Sequence, residues 1–101
     1  MKTVGIIGGL GPQTTAHFYM KIILSCLKKN KIARPSILIY NVPLTLRVEE
    51  NLTVKAVNEH EIIPFLVDAA VNLEKGGADF IVIPCNTVHL FIDEVRKAVN
   101  I

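Results

Sequence analysis

The chain has no tryptophan, and two tyrosines and four phenylalanines are its whole aromatic complement. So few ring faces argue against a base-stacking platform for single-stranded nucleic acid. Neither sign of charge dominates: 11 Lys and Arg against 9 Asp and Glu leave +2. The tightest basic group, Lys28-Lys29 with Lys31, lies near an expected helix end, where cations suit the helix dipole. Nothing therefore points to nucleic acid as a partner. No apolar run approaches the roughly 20 residues that a membrane helix needs, so no membrane partner is expected. The opening Met1-Lys2-Thr3-Val4-Gly5-Ile6-Ile7-Gly8 carries too short an apolar run for a secretory signal core. Cysteine is scarce as well. Cys26 and Cys85 lie far apart, which leads us to expect two free thiols in a reducing cytoplasm rather than a disulfide framework. Internal repeats and low-complexity segments are missing too.

What is present is an apolar, moderately charged chain. Half of the 101 residues are hydrophobic and a fifth are charged, as in a folded globular protein of one domain at most. Three strand-then-helix units follow one another. Thr3 to Ile7 is a β-favouring run broken by Gly8-Gly9-Leu10-Gly11-Pro12, and Pro12 suits the first turn of a helix, where its missing N–H costs nothing. Ala16, Met20, Ile23, Leu24 and Leu27 recur at helical spacing from Gln13 to about Lys29, and Asn30 or Arg34-Pro35 ends that helix. Ile37 to Tyr40 is an unbroken apolar strand, as expected where helices cover both sheet faces. A short helix is expected around Thr45 to Glu50. Ile62, Leu66, Ala69 and Leu73 mark a second long helix, closed by Lys75-Gly76-Gly77, with Pro64 tolerated in its first turn if it starts near Glu61. Phe80 to Ile83 is the third strand. Ile92, Val95, Ala98 and Val99 mark a last helix ending about Asn100. Alternation of this kind argues for a parallel α/β sheet, and the chain stops at Ile101, just where another strand is due. We expect the front part of something longer.

In open parallel sheets ligands bind beyond the carboxyl ends of the strands. The run Phe80-Ile81-Val82-Ile83-Pro84-Cys85-Asn86-Thr87-Val88-His89 delivers a thiol to that place. A thiol at the amino end of a helix is favoured as thiolate, suiting a nucleophile or a general base; a small buried cysteine is the plainer alternative. Cys26, beside Leu27 on an apolar helix, is read as that plainer kind. Asn86 and Thr87 suit helix caps, and the same end offers N–H groups to a carboxylate. His89, four residues after Cys85, is one turn on; it orients the thiol or a substrate, or is structural. Cys85 with His89 makes only half a zinc site, and Cys26, His17 and His60 complete no ligand spacing, so no metal is expected. The glycine loop lacks the last glycine of the dinucleotide fingerprint and the lysine of a phosphate loop. It either permits a tight turn or cradles a small anion with backbone amides, with Thr14 and Thr15 as further donors. Arg47, after strand two, is either a solvated charge or a bidentate clamp for a carboxylate.

Taken together, Gly5-Ile6-Ile7-Gly8-Gly9-Leu10-Gly11-Pro12, Gly77-Ala78-Asp79-Phe80 and Pro84-Cys85-Asn86-Thr87-Val88-His89 resemble the aspartate/glutamate racemase family, its aspartate racemase branch above all. The resemblance implies a three-layer α/β/α domain with a short parallel sheet, residues 1–101 being the amino-terminal, incomplete half of a two-domain fold with the site in the cleft. It implies a cofactor-independent racemase in which one thiolate removes the α-proton and an opposing thiol reprotonates the other face. Cys85 matches the first of these cysteines. Asn86 and Thr87 match residues that hold the α-carboxylate, Leu10 and Gly11 the loop lining the cleft, and Arg47 the anchor for an acidic side chain. The segment Pro43-Leu44-Thr45-Leu46-Arg47-Val48-Glu49 departs from the branch's usual pattern, and no Gly-Cys-Thr-Glu motif supplies the second cysteine. A missing carboxyl-terminal domain, or a homodimer partner bringing a second Cys85, is therefore expected to meet apolar surface on this chain. The competing expectations are a catalytically inactive domain that binds small anions or carboxylates or serves interaction alone, and a nucleotide-binding module.

Overall fold

A computed structural model describes residues 1–29 and 33–101. Asn30 and Lys31 lie outside the described residues, and with them one of the two expected ends of the first helix. Strand β1 (Thr3–Gly8) is the middle strand of a three-stranded sheet, flanked by β2 (Ser36–Asn41) and β3 (Phe80–Val82) in the order β2-β1-β3. Both pairings are parallel, with Gly5 opposite Leu38 on one side and Ile81 on the other. The centre falls to β1 because its consecutive Ile6 and Ile7 point to opposite faces and both are fully buried.

The two faces are covered unequally. A side chain at Gly5 would run into Ala78 and Leu73, while one at Gly8 would run into Thr15 and Ile39. Gly5 and Ile7 therefore face α3 (Ile63–Lys75), and Ile6 and Gly8 face the start of α1 (Pro12–Lys29). Helix α3 follows a 3₁₀ turn at Glu59–Ile62, two residues later than expected, and holds Pro64 in its first turn. It buries Leu66, Ala69, Ala70 and Leu73 against Ile7, and Ile62, Val88 and Val95 complete that core. Each large aliphatic side chain so removed from water contributes about 1.5–3 kcal/mol.

On the other face Met20, Leu24 and Leu27 of α1 stay exposed, as do Ile39 and Phe80 of the sheet. On α1 Thr15 is buried and Phe18, Ile22, Ile23 and Cys26 are half-buried; of the face expected from Ala16, Met20, Ile23, Leu24 and Leu27, only Ile23 turns inward, a correction to that expectation. Apolar residues lie almost all around this helix, so periodicity alone does not select the inward side. The third layer of the expected α/β/α arrangement is thus present but thinly joined.

Most of the segment between β2 and α3 is helical, broken at residues 42–45 and 56–58. Thr45 caps α2 (Leu46–Glu50) by accepting the Val48 N–H at 3.3 Å, and a π-helical turn, Asn51–Lys55, continues it. After β3 a 3₁₀ turn, Thr87–Phe91, precedes α4 (Ile92–Ala98). Val99 is extended rather than helical, and the Asn100 N–H donates to the Glu74 carboxylate at 2.8 Å, so α4 ends earlier than the sequence suggests. No helix among the described residues is long and apolar enough to cross a membrane.

Candidate active site

Cys85 leaves the sheet on a tight turn. The Ile83 carbonyl accepts the Cys85 N–H at 2.8 Å and also lies 2.8 Å from His89 Nε2. A carbonyl can only accept, so Nε2 carries the hydrogen. His89 therefore pins the strand-end turn through the backbone, as its structural reading expected. Cys85 is half-buried, with one side against the core.

The thiol lines two cavities. The larger, about 510 Å³, is formed with Leu10, Thr14, Phe18, Ile83, Pro84 and Asn86. The smaller, about 220 Å³, is formed with Gly9, Leu10, Gly11, Leu44, Glu49, Leu52, Thr53 and Thr87. Leu10, like Cys85, borders both. A third cavity of about 520 Å³ lies between β3 and α4, with His89 and Arg96 among aliphatic walls, and has no contact with the thiol. Of the residues singled out from sequence, Cys85, Leu10, Gly11, Asn86 and Thr87 thus come together at the strand ends.

The glycine loop is built to stay open beside the thiol. Gly9 has φ +90°, which strains any other residue, and a Cβ there would have to displace the Asn41 side chain, whose Oδ1 would lie 2.5 Å away. Thr15 fastens the loop from below: its hydroxyl accepts the Gly9 N–H at 3.0 Å and donates to the Gly11 carbonyl at 3.3 Å. Thr15 is spent on the fold, and only Thr14 of the two threonines reaches a cavity. Asn86 takes helical dihedrals and makes no side-chain cap, and the chain from Thr87 to Phe91 is a 3₁₀ turn. The expected α-helix amino terminus beside Cys85 is replaced by that short turn, which corrects both the capping role and the dipole argument.

Arg47 stands apart. Its guanidinium donates to Glu61 at 2.7 Å, its side chain is 68% exposed, and it borders neither thiol cavity. An α-helix turns by about 100° per residue, so Arg47 and Glu49 point to nearly opposite sides of α2. Glu49 has the cleft side, with Leu52 and Thr53 following it on the π-helical turn. The sequence reading missed these three. Their helical spacing after Thr45 was visible, but the phase of so short a helix was not. Among the described residues no three His, Cys, Asp or Glu side chains are grouped to hold a metal ion.

Residues 7–101 match the model of the Asp/Glu/hydantoin racemase family. The chain is 34% identical, over 102 aligned residues, to the broad specificity amino-acid racemase RacX of Bacillus subtilis (strain 168), covering 97% of this chain and 43% of that protein. The crystal structure of an aspartate racemase homologue from Pyrococcus horikoshii OT3 superposes with a TM-score of 0.82 at 32% identity, covering all of this chain and 43% of that one. The chain thus spans less than half the length of the relatives it matches.

Proposed function

The chain belongs to the Asp/Glu/hydantoin racemase family, and from that premise we propose that it is part of an amino-acid racemase in which the Cys85 sulfur moves the substrate's α-proton. The observation that carries this reading is the position of Cys85: past the carboxyl end of β3, half-buried, and lining two cavities under a glycine loop. An amino acid would set its α-carboxylate against Asn86, Thr87 and the amides of Leu10 and Gly11, with its α-carbon over the sulfur. The thiolate takes the α-hydrogen, the electron pair stays on the carbon beside the carboxylate, and an acid on the opposite face returns a proton. No cofactor is needed for that exchange.

The opposite acid must come from elsewhere. Cys26 sits on α1 and borders neither cavity. A second domain or a second copy, closing over the strand ends and the apolar face of α1, would supply it. Free thiols of this kind suit a reducing cytoplasm. The resemblance to the aspartate racemase branch implies an acidic substrate with Arg47 holding its side chain, but Arg47 is held by Glu61 and lines neither thiol cavity, so the geometry does not support that part of the resemblance.

The test is α-proton exchange. The protein is incubated with L- and D-amino acids in heavy water and the α-proton signal is followed by NMR. We expect exchange that falls at least about 10²-fold in Cys85→Ser, the scale of a lost general base. Ligand binding with no exchange for any amino acid would support a non-catalytic carboxylate-binding domain instead.

A further inference from the structure

Within the smaller thiol cavity one wall carries formal charge. Glu49 borders it together with Cys85, Thr87 and the glycine loop, and no salt bridge among the described residues engages its carboxylate. The larger cavity has no Asp, Glu, Lys or Arg in its lining. The nearest cation along the chain, Arg47, is turned to the far side of α2 and held by Glu61 at 2.7 Å. Among the described residues that line the two cavities beside Cys85, the one acidic or basic side chain is thus the exposed Glu49.

We propose that Glu49 makes this cleft selective for cations, so that it admits amino acids with neutral or basic side chains in preference to acidic ones. The substrate class rests on the racemase reading; the charge selectivity at Cys85 does not. An α-amino acid always brings an ammonium group that the carboxylate attracts. An acidic side chain adds a second negative charge to a cavity of about 220 Å³, with no free guanidinium lining it. A basic side chain adds an attraction. At separations of several ångströms and a surface-like dielectric, such a unit charge changes occupancy roughly threefold to tenfold.

Alkylation of Cys85 reads this charge without requiring turnover. In a Cys26→Ser background, the rates of modification by iodoacetate, iodoacetamide and 2-bromoethylamine are measured by mass spectrometry, each divided by its rate with N-acetylcysteine. We expect the cationic reagent to be favoured and the anionic one disfavoured relative to iodoacetamide, by roughly threefold to tenfold at low salt. Glu49→Gln should bring both ratios near one, and Glu49→Lys should invert them. Ratios unchanged in Glu49→Gln would overturn the proposal. In a second arm, L-lysine, L-norleucine and L-aspartate are titrated as protectants of Cys85. Protection by lysine at lower concentration than by aspartate, lost in Glu49→Gln, supports the substrate class, and stronger protection by aspartate overturns it. Should no amino acid protect or exchange while the reagent ratios still depend on Glu49, the charge assignment stands and the racemase reading fails.

Discussion

Helix α3 is 13 residues long and buries Leu66, Ala69, Ala70 and Leu73, whereas α1, at 18 residues, buries Thr15 alone among its described residues. Both follow a strand, both have apolar residues at helical spacing, and they stand against opposite faces of one sheet. The difference lies in what surrounds them. Around α3 the chain supplies Ile7 from the sheet, Ile62 from the turn before it, and Val88 and Val95 from the segment after β3. Around α1 it supplies the approach of Thr15 to Gly8 and little more, and Met20, Leu24 and Leu27 stay exposed, as do Ile39 and Phe80 of the sheet. The site sits where the two halves meet: Cys85 packs on the α3 core with one side and opens toward Phe18 of α1 with the other.

The sharpest test of the contrast is a pair of truncations. Leu66→Ala should lose about 2.5–5 kcal/mol in urea unfolding, the range for a fully buried leucine that leaves a cavity. Leu24→Ala should change stability by no more than about 0.5 kcal/mol, as exposed positions do. Equal costs would mean that α1 is covered in solution.

A smaller effect is expected where α1 does make a contact. Thr15→Val keeps the shape and removes the hydroxyl that bridges Gly9 and Gly11, at a cost of about 1–3 kcal/mol for stranded backbone groups. Amide exchange at Gly9 should quicken, and Thr15→Ser should restore its protection. Unchanged exchange in the valine variant would show that the loop holds its shape without α1.

The smallest effect belongs to the edge of the α3 face. The Tyr40 hydroxyl donates to the Asp68 carboxylate at 3.1 Å. That hydrogen bond is the main reason the phenol titrates above its usual 10.0, with desolvation and the repulsion of the same carboxylate adding to it. A raised folded-state value means that the native state holds its proton longer than the unfolded chain. The contribution is therefore complete below pH about 10 and is lost as pH rises through the folded value. Tyr40→Phe should be slightly less stable at neutral pH and lose less on going to alkaline pH, and parallel curves for the two proteins would remove Asp68 from the account.

Much of this was legible beforehand. The three strands fall where short apolar, β-favouring runs predict them, Thr45 opens a short helix, and Ile62, Leu66, Ala69 and Leu73 are buried as their spacing requires. Cys85, Leu10, Gly11, Asn86 and Thr87 meet because parallel strands carry their following loops to the same edge. The less legible parts were all rotations. Glu49 and Arg47 are two residues apart, and which of them faces the thiol depends on the phase of a five-residue helix. The cap expected at Asn86 gave way to a 3₁₀ turn, beside which the Ile83 carbonyl accepts from the Cys85 amide and the His89 ring.

Composition and periodicity sufficed to establish alternating strands and helices, a parallel sheet, and a cysteine delivered to the carboxyl edge of that sheet. Those features depend on local preferences and on which residues shun water, and both are written residue by residue. Tertiary structure decided which side of α1 turns inward, which charge Cys85 meets and what His89 holds. Each of these depends on a rotation about a helix or side-chain bond that costs little locally, so distant neighbours fix it through packing and hydrogen bonding.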